Sequence, residues 1–322
     1  MWCLLSARSV GRLIARTLVG VVLLLGLAEG TLQLFSLVVR DRSTPWSPGT
    51  TRHVLCVGDS HTYGAGVKPE ESYPGQLQRF LDEEAPGVYS VVNLGIPGMS
   101  TTQILNRLPA HVSRLHPDIV IVLCGLNDSW NEAEVGESRV GWRGWLDGIL
   151  VHTRLHRLAR VWIHDRSLER EGKEHGLQDA RPTIDSPEGP LARNRTSTVD
   201  WGDVVERVEF KERSVGMRPD AEVQARLLRN YEAMAEYAHA AGVRLIFVAY
   251  LLDFPHMALP NQAMRSVAQR HGITVVESGK SLDRVPPEQR IWVWGLHPGA
   301  PTYREIARDV ALAVTHPDTP AP

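Results

Sequence analysis

The sequence predicts an α/β protein: a parallel sheet with helices on both faces. Three observations carry this expectation. Five short apolar runs alternate with helical patterns along the chain. The runs are apolar throughout instead of alternating, as strands buried on both faces are. Three of them run directly into small or polar residues, the pattern of loops at the carboxyl edge of such a sheet. Alternating strands and helices call for parallel pairing, with right-handed crossovers.

The first strand is His53–Val57, followed by Gly58-Asp59-Ser60. A helix follows, from Glu71-Ser72-Tyr73-Pro74 to about Leu81, with Tyr73, Leu77, Phe80 and Leu81 at helical spacing. Tyr89–Leu94 is the second strand and ends at Gly95-Ile96-Pro97-Gly98. Ser100-Thr101-Thr102 then caps a helix to about Leu115, with Ile104, Leu105, Leu108 and Val112 on one face. Asp118–Cys124 is the third strand, ending in Gly125-Leu126-Asn127-Asp128. Ala221–Ala241 is a long helix stopped by Gly242, Val243–Tyr250 the fourth strand, Leu259–His271 a helix stopped by Gly272, and Ile273–Val276 the fifth strand. Pro301-Thr302-Tyr303 opens a last helix to about Val314, before a proline-rich tail over 315–322.

Two regions break this regularity. Between Leu13 and Val39 only Arg16 and Glu29 are ionisable. An apolar run of roughly 20 residues is long enough to cross a bilayer as a helix. Arg8, Arg12 and Arg16 precede its most apolar part, which places the N-terminus in the cytoplasm, although Arg40 and Arg42 follow it. A cleaved signal peptide is the rival reading, but Leu27-Ala28-Glu29-Gly30 matches its cleavage site poorly. Residues 1–40 therefore read as a single membrane anchor. Residues 41–52 are a linker, and the domain over 53–314 is expected on the extracytoplasmic side, periplasmic or extracellular. The second irregular region is an insertion over about 129–219. Its Trp142–Trp162 half looks helical, and Gly172–Met217 is charged and rich in Gly, Pro, Ser and Thr. It enters beside the third strand's end and reads as a lid with a less ordered second half.

Composition excludes several classes. The 322 residues are 43% hydrophobic and carry a net charge of −2, which gives no case for nucleic acid. Three scattered cysteines, Cys3, Cys56 and Cys124, are too few for a disulfide framework or a zinc site. His152, His156 and His164 share a helical spacing, but no carboxylate completes a metal set. No metal or other cofactor is expected. Trp142, Trp145, Trp162 and Trp201 fit either a glycan or acyl site or the insertion's own core.

A parallel sheet brings its carboxyl-end loops to one edge. Ser60, Gly98 and Asn127 lie in such loops, and Gly295-Leu296-His297-Pro298, just before the last helix, can return there. A hydroxyl, a glycine N–H, a side-chain amide and an imidazole are the parts that acyl transfer by a serine nucleophile needs. His297 would take the Ser60 proton, and the N–H groups of Ser60 and Gly98 with the Asn127 amide would hold the oxyanion. His61 is set aside as a base because adjacent residues rarely point the same way. Asp59 and Asp128 read as loop braces.

These residues resemble the four blocks of the SGNH, or GDSL, hydrolases. Gly58-Asp59-Ser60, Asn93-Leu94-Gly95-Ile96-Pro97-Gly98, Gly125-Leu126-Asn127-Asp128 and Gly295-Leu296-His297-Pro298 match them in order. The resemblance covers about residues 52–314, apart from the insertion. It implies a three-layer α/β/α sandwich around a five-stranded parallel sheet, flavodoxin-like in its winding, and a serine esterase that cleaves an O-acyl ester through an acyl-Ser60 intermediate. The substrate would be a small-molecule or glycan ester. One position departs from the family, which usually carries an Asp three residues before the histidine; here it is Trp294. Tryptophan cannot accept a hydrogen bond from the imidazole. Three readings stay open: a backbone carbonyl orients His297, an upstream carboxylate such as Asp283 or Glu288 substitutes, or the site is weakened. The weakened site would leave a glycan- or partner-binding domain, whereas a lid that excludes water would favour acyl transfer to an envelope carbohydrate.

Overall fold

The computed structural model describes residues 46–133, 183–187, 189, 192–200, 205–252, 255–293 and 297–316, with scattered positions between 16 and 31. Contacts divide the chain into two units, Met1–Ser43 with Ser138–Gly176, and Thr44–Glu137 with Leu177–Pro322. In the first, the described positions between 16 and 31 are helical, and Val19, Leu23, Leu24 and Leu27 are exposed. No helix among the described residues is long and apolar enough to cross a membrane. Most of the Leu13–Val39 span lies outside the described residues, as do the Trp142–Trp162 helix, the histidines at 152, 156 and 164, and Trp201.

The second unit begins its pattern with β1 (Arg52–Gly58), α1 (Ser60–Tyr63), α2 (Tyr73–Glu84), β2 (Tyr89–Asn93), α3 (Thr101–Leu115) and β3 (Ile119–Leu123). The insertion contributes β4 (Thr183–Asp185), β5 (Arg195–Asp200) and β6 (Val205–Phe210). The pattern resumes with α4 (Asp220–Ala240), β7 (Arg244–Val248), α5 (Pro255–His271), β8 (Thr274–Val276) and α6 (Ser278–Asp283). It closes with β9 (Trp292–Val293), β10 (His297–Pro298) and α7 (Ala300–Thr315).

The main sheet is five-stranded, in the order β2-β1-β3-β7-β8, with every neighbouring pair parallel. Its central strands are buried because their residues are apolar without interruption: Val54 to Cys56, Ile119 to Leu123 and Ile246 to Val248 are almost fully enclosed. From β1 the chain steps outward one way to β2, then the other way to β3, β7 and β8. Right-handed crossovers then put α2 on one face and α3, α4 and α5 on the other. The packing agrees: α2 contacts α7, whereas α3 contacts α4 and α4 contacts α5. The step from β2 back across to β3 opens a crevice between the carboxyl ends of β1 and β3, where sheets of this winding bind ligands.

Ser100 caps α3 as its sequence predicts, accepting from the Gln103 N–H at 3.4 Å while Gln103 Oε1 accepts from the Ser100 N–H at 3.3 Å. Two other expectations are corrected. The domain starts before residue 53. Trp46 is buried, stacks on His53 with ring centroids 4.6 Å apart, and donates from Nε1 to the Leu115 carbonyl at 2.8 Å. An indole gains more from the core than a linker can offer it. The second half of the insertion is also not featureless: β4, β5 and β6 form an antiparallel sheet. Its inward positions on β5 are Arg195, Ser197 and Val199. Two polar residues among three hide the period-2 hydrophobic signal that marks a half-buried strand.

Candidate active site

β1 ends at Gly58, and the chain turns sharply into α1. A Cβ on Gly58 would sit 2.1 Å from the Leu123 carbonyl oxygen, so only glycine lets the two strand ends close up. Asp59 caps α1 by accepting the His61 N–H at 2.9 Å. Ser60 thus opens a helix at the mouth of the crevice and is 6% exposed.

The histidine block comes from the far end of the chain. β10 pairs antiparallel with β9, which puts His297 opposite Val293, and the Gly299 N–H donates to the Ile291 carbonyl at 2.7 Å. This small ladder fixes the backbone of His297. Its Nε2 lies 2.7 Å from Ser60 Oγ, a hydrogen bond that joins residues 237 positions apart. That is the reach a general base needs for the proton it abstracts.

Asn127 follows β3 in a short 3-10 turn and is buried. The Trp130 indole donates to its Oδ1 at 2.9 Å. An indole N–H can only donate, so this bond decides which end of the amide is oxygen. Nδ2 is left to donate to the Met99 carbonyl at 3.1 Å and to Asp59 Oδ2 at 3.4 Å. Gly98 sits at φ +84°, a conformation that favours glycine. A Cβ there would meet Arg195 Nη2 at 3.0 Å and Phe210 Cδ1 at 3.1 Å. The Asn131 amide donates to the Gly98 carbonyl at 2.9 Å.

Two buried carboxylates brace the crevice. Asp59 accepts from the Tyr250 hydroxyl at 2.5 Å, and the same hydroxyl accepts the Leu126 N–H at 3.1 Å. Burial, and then the Asp59 charge, push the Tyr250 hydroxyl well above its usual range and keep it a donor. Asp128 accepts from the N–H and hydroxyl of Thr101, at 2.8 and 2.6 Å, and so ties the start of α3 to the third loop. Burial pushes its carboxyl up to about 6, against the pull of those Thr101 bonds.

Ser60 and His297 are thus brought into contact, with Asn127 and the Gly98 loop in the same crevice. Asp283, at the end of α6, and Glu288, in a 3-10 turn, are exposed, and among the described residues neither makes a hydrogen bond or ion pair with His297. Trp294 lies outside the described residues. Sequence reasoning passed over His61. Its ring is 2% exposed, sits 4.8 Å centroid to centroid from that of His297, and places Nδ1 3.5 Å from Asp59 Oδ1. Neighbours diverge fully in a strand, but in a helix they are only about 100° apart, and both residues belong to α1. Reading Asp59 as an N-cap carries that signal, because it turns the next residues helical.

The chain is similar to several solved structures. A lipase/acylhydrolase from Enterococcus faecalis shares 15% identity over 84% of this chain and 98% of its own, with a TM-score of 0.47. TesA shares 18% identity over 81% and 98%, with a TM-score of 0.46. An acetylxylan esterase from Geobacillus stearothermophilus shares 15% over 83% and 94%, with a TM-score of 0.44. No curated protein sequence matches the chain. The sequence pattern described as GDSL-like Lipase/Acylhydrolase matches residues 56–305, which include the Ser60, Gly98, Asn127 and His297 blocks and most of the domain, and the chain belongs to that family.

Proposed function

We propose that the protein is a serine esterase that cleaves an O-acyl ester through an acyl-Ser60 intermediate. The observation that carries this reading is the 2.7 Å contact between Ser60 Oγ and His297 Nε2. Ser60 Oγ attacks the ester carbonyl carbon while His297 Nε2 takes the hydroxyl proton. The oxyanion is held by the N–H groups of Ser60 and Gly98 and by Asn127 Nδ2. As the tetrahedral intermediate collapses, the bond to the alkoxide breaks and His297 gives that leaving group its proton. Water then attacks the acyl-Ser60 carbonyl, His297 takes the water proton, and the carboxylic acid leaves as Ser60 regains a hydrogen. Trp294 stands where the family usually carries an Asp, and the imidazole is steadied by the β9–β10 ladder and by the His61 ring.

The test uses the full chain, in detergent where needed, with p-nitrophenyl acetate. Release of p-nitrophenol that disappears in Ser60→Ala and in His297→Ala supports the reading. A wild-type protein no faster than buffer sinks it. Membrane attachment through residues 1–40 is proposed on separate grounds. The run Leu13–Val39 carries only two ionisable residues, and the described helical positions Val19, Leu23, Leu24 and Leu27 are apolar and exposed. Full-length protein that fractionates with membranes in carbonate, alongside a variant starting at Thr44 that does not, supports attachment. Equal behaviour of the two removes it.

A further inference from the structure

Arg195 is an unexpected residue to find inside. It opens β5, is 4% exposed, and comes from the insertion, not from any of the four blocks. Taking a guanidinium out of water is expensive unless hydrogen bonds replace the lost hydration. Here they do. Arg195 donates to the carbonyls of Pro97 and Ala192 and, at 3.1 Å, to Ser197 Oγ. Its guanidinium also lies over the Phe210 ring, 3.7 Å from the centroid.

The Pro97 carbonyl belongs to the same peptide unit as the Gly98 N–H. The two point opposite ways across a trans peptide. A guanidinium that holds the carbonyl from the insertion side leaves the N–H aimed at the other side. The next carbonyl, that of Gly98, is held by Asn131 Nδ2. Both carbonyls that frame the Gly98 N–H are therefore pinned, and the glycine's freedom at φ +84° is removed by its neighbours. The charge acts as well as the geometry. A cation on an amide oxygen draws electron density through the amide, so the N–H becomes a stronger donor.

We infer that Arg195 is a positioning residue for the oxyanion hole: through the Pro97 carbonyl it fixes and polarises the Gly98 N–H. The inference rests on the esterase reading, in which that N–H receives the oxyanion. It makes β5 and β6 part of the catalytic apparatus. It also explains why a strand in an otherwise polar insertion buries a charge at this one place.

The experiment compares full-length wild type, Arg195→Lys and Arg195→Met. Each is measured for p-nitrophenyl acetate hydrolysis and for inhibition by a trifluoromethyl ketone, which forms an oxyanion adduct on the serine. Losing one oxyanion donor costs about 10²–10³ in rate. Weakening one should cost about 10–100-fold in kcat for Arg195→Met, with KM within about threefold. The inhibitor should lose affinity by the same factor as kcat/KM, because both report the tetrahedral oxyanion. Arg195→Lys should recover part of both losses. A merely structural role would not produce that matched loss. An Arg195→Met protein with undiminished kcat and inhibitor affinity overturns the inference, as does a change confined to KM. If Arg195→Met does not fold, Arg195→Lys carries the comparison with the Gly98 amide proton resonance as a second reading. The resonance should move upfield with a fall in kcat, and no change in either overturns the inference. A wild-type protein inert to both reagents removes the esterase reading and this inference together, whereas an active wild type with an undiminished variant removes this inference alone.

Discussion

Strand β3 buries Ile119 to Leu123, every one of them aliphatic, while β5 buries Arg195, Ser197 and Val199 and leaves Thr196, Thr198 and Asp200 half-buried. The first strand is held by transfer of apolar surface out of water, which is non-directional and tolerates repacking. The second is held by specific hydrogen bonds and by one cation–aromatic contact, which do not. The parallel sheet therefore sets where its loops end, and the small sheet sets how one of those loops, Pro97-Gly98, is held. Damage to the first should threaten the fold, and damage to the second should reach the chemistry while much of the fold survives.

The largest expected effect falls on the catalytic contact and leaves both sheets intact. His297→Ala should lower kcat by about 10⁴–10⁶, with a melting temperature close to wild type, because the backbone ladder between β9 and β10 does not need the imidazole. Activity within tenfold of wild type would move the base elsewhere, and His61 would be the first place to look. Next come two core truncations that set the sheets against each other. Ile121→Ala in β3 should cost about 2–5 kcal/mol and Phe210→Ala in β6 about 3–5 kcal/mol. The first should appear in global urea unfolding. The second should appear first as faster hydrogen exchange over 195–210, ahead of β1 and β3. Identical exchange patterns would mean that the two sheets open as one unit.

A smaller effect is expected at the oxyanion amide. Asn127→Ala should lower kcat by about 10²–10³ with KM little changed. Trp130→Phe removes the indole N–H that sets the amide's direction and should cost less, about tenfold, by letting the amide rotate. A Trp130→Phe loss that persists undiminished in the Asn127→Ala background would mean that Trp130 does not act through Asn127.

The smallest effect lies on the parallel-sheet side, away from the chemistry. His111 is buried on α3, and burial, with Arg114 and Arg107 nearby, lowers its pKa to about 3. A histidine whose pKa is lowered on folding contributes stability that is fully present above its unfolded value of about 6.5. That contribution is lost as the pH falls from there toward 3, by up to about 1.4 kcal/mol per pH unit. Urea midpoints at pH 7 and pH 5 should therefore diverge more for wild type than for His111→Gln. Equal pH dependence would place the acid sensitivity in another group.

Much of the parallel sheet was legible because its strands bury both faces, and an uninterrupted aliphatic run leaves few other readings. The crevice was legible for a related reason: a parallel sheet gathers its loops at one edge, so Ser60, Gly98, Asn127 and His297 could be placed together without coordinates. Other features gave no such signal. Arg195 and Ser197 occupy inward positions normally filled by apolar residues, so β5 reads as loop. Trp46 reads as linker because one aromatic residue among prolines and serines carries no periodicity. His61 was set aside because adjacent residues rarely point the same way, a rule that weakens where Asp59 caps a helix. Neither Asp283 nor Glu288 follows from any pattern around His297, and the structure leaves both on the surface.

The most direct test is the identity of the reactive serine. Full-length protein treated with a fluorophosphonate and digested for mass spectrometry should carry the adduct on Ser60 alone. Labelling should vanish in Ser60→Ala and slow by orders of magnitude in His297→Ala. An adduct on another residue that survives in Ser60→Ala, or no adduct at all, would contradict the account.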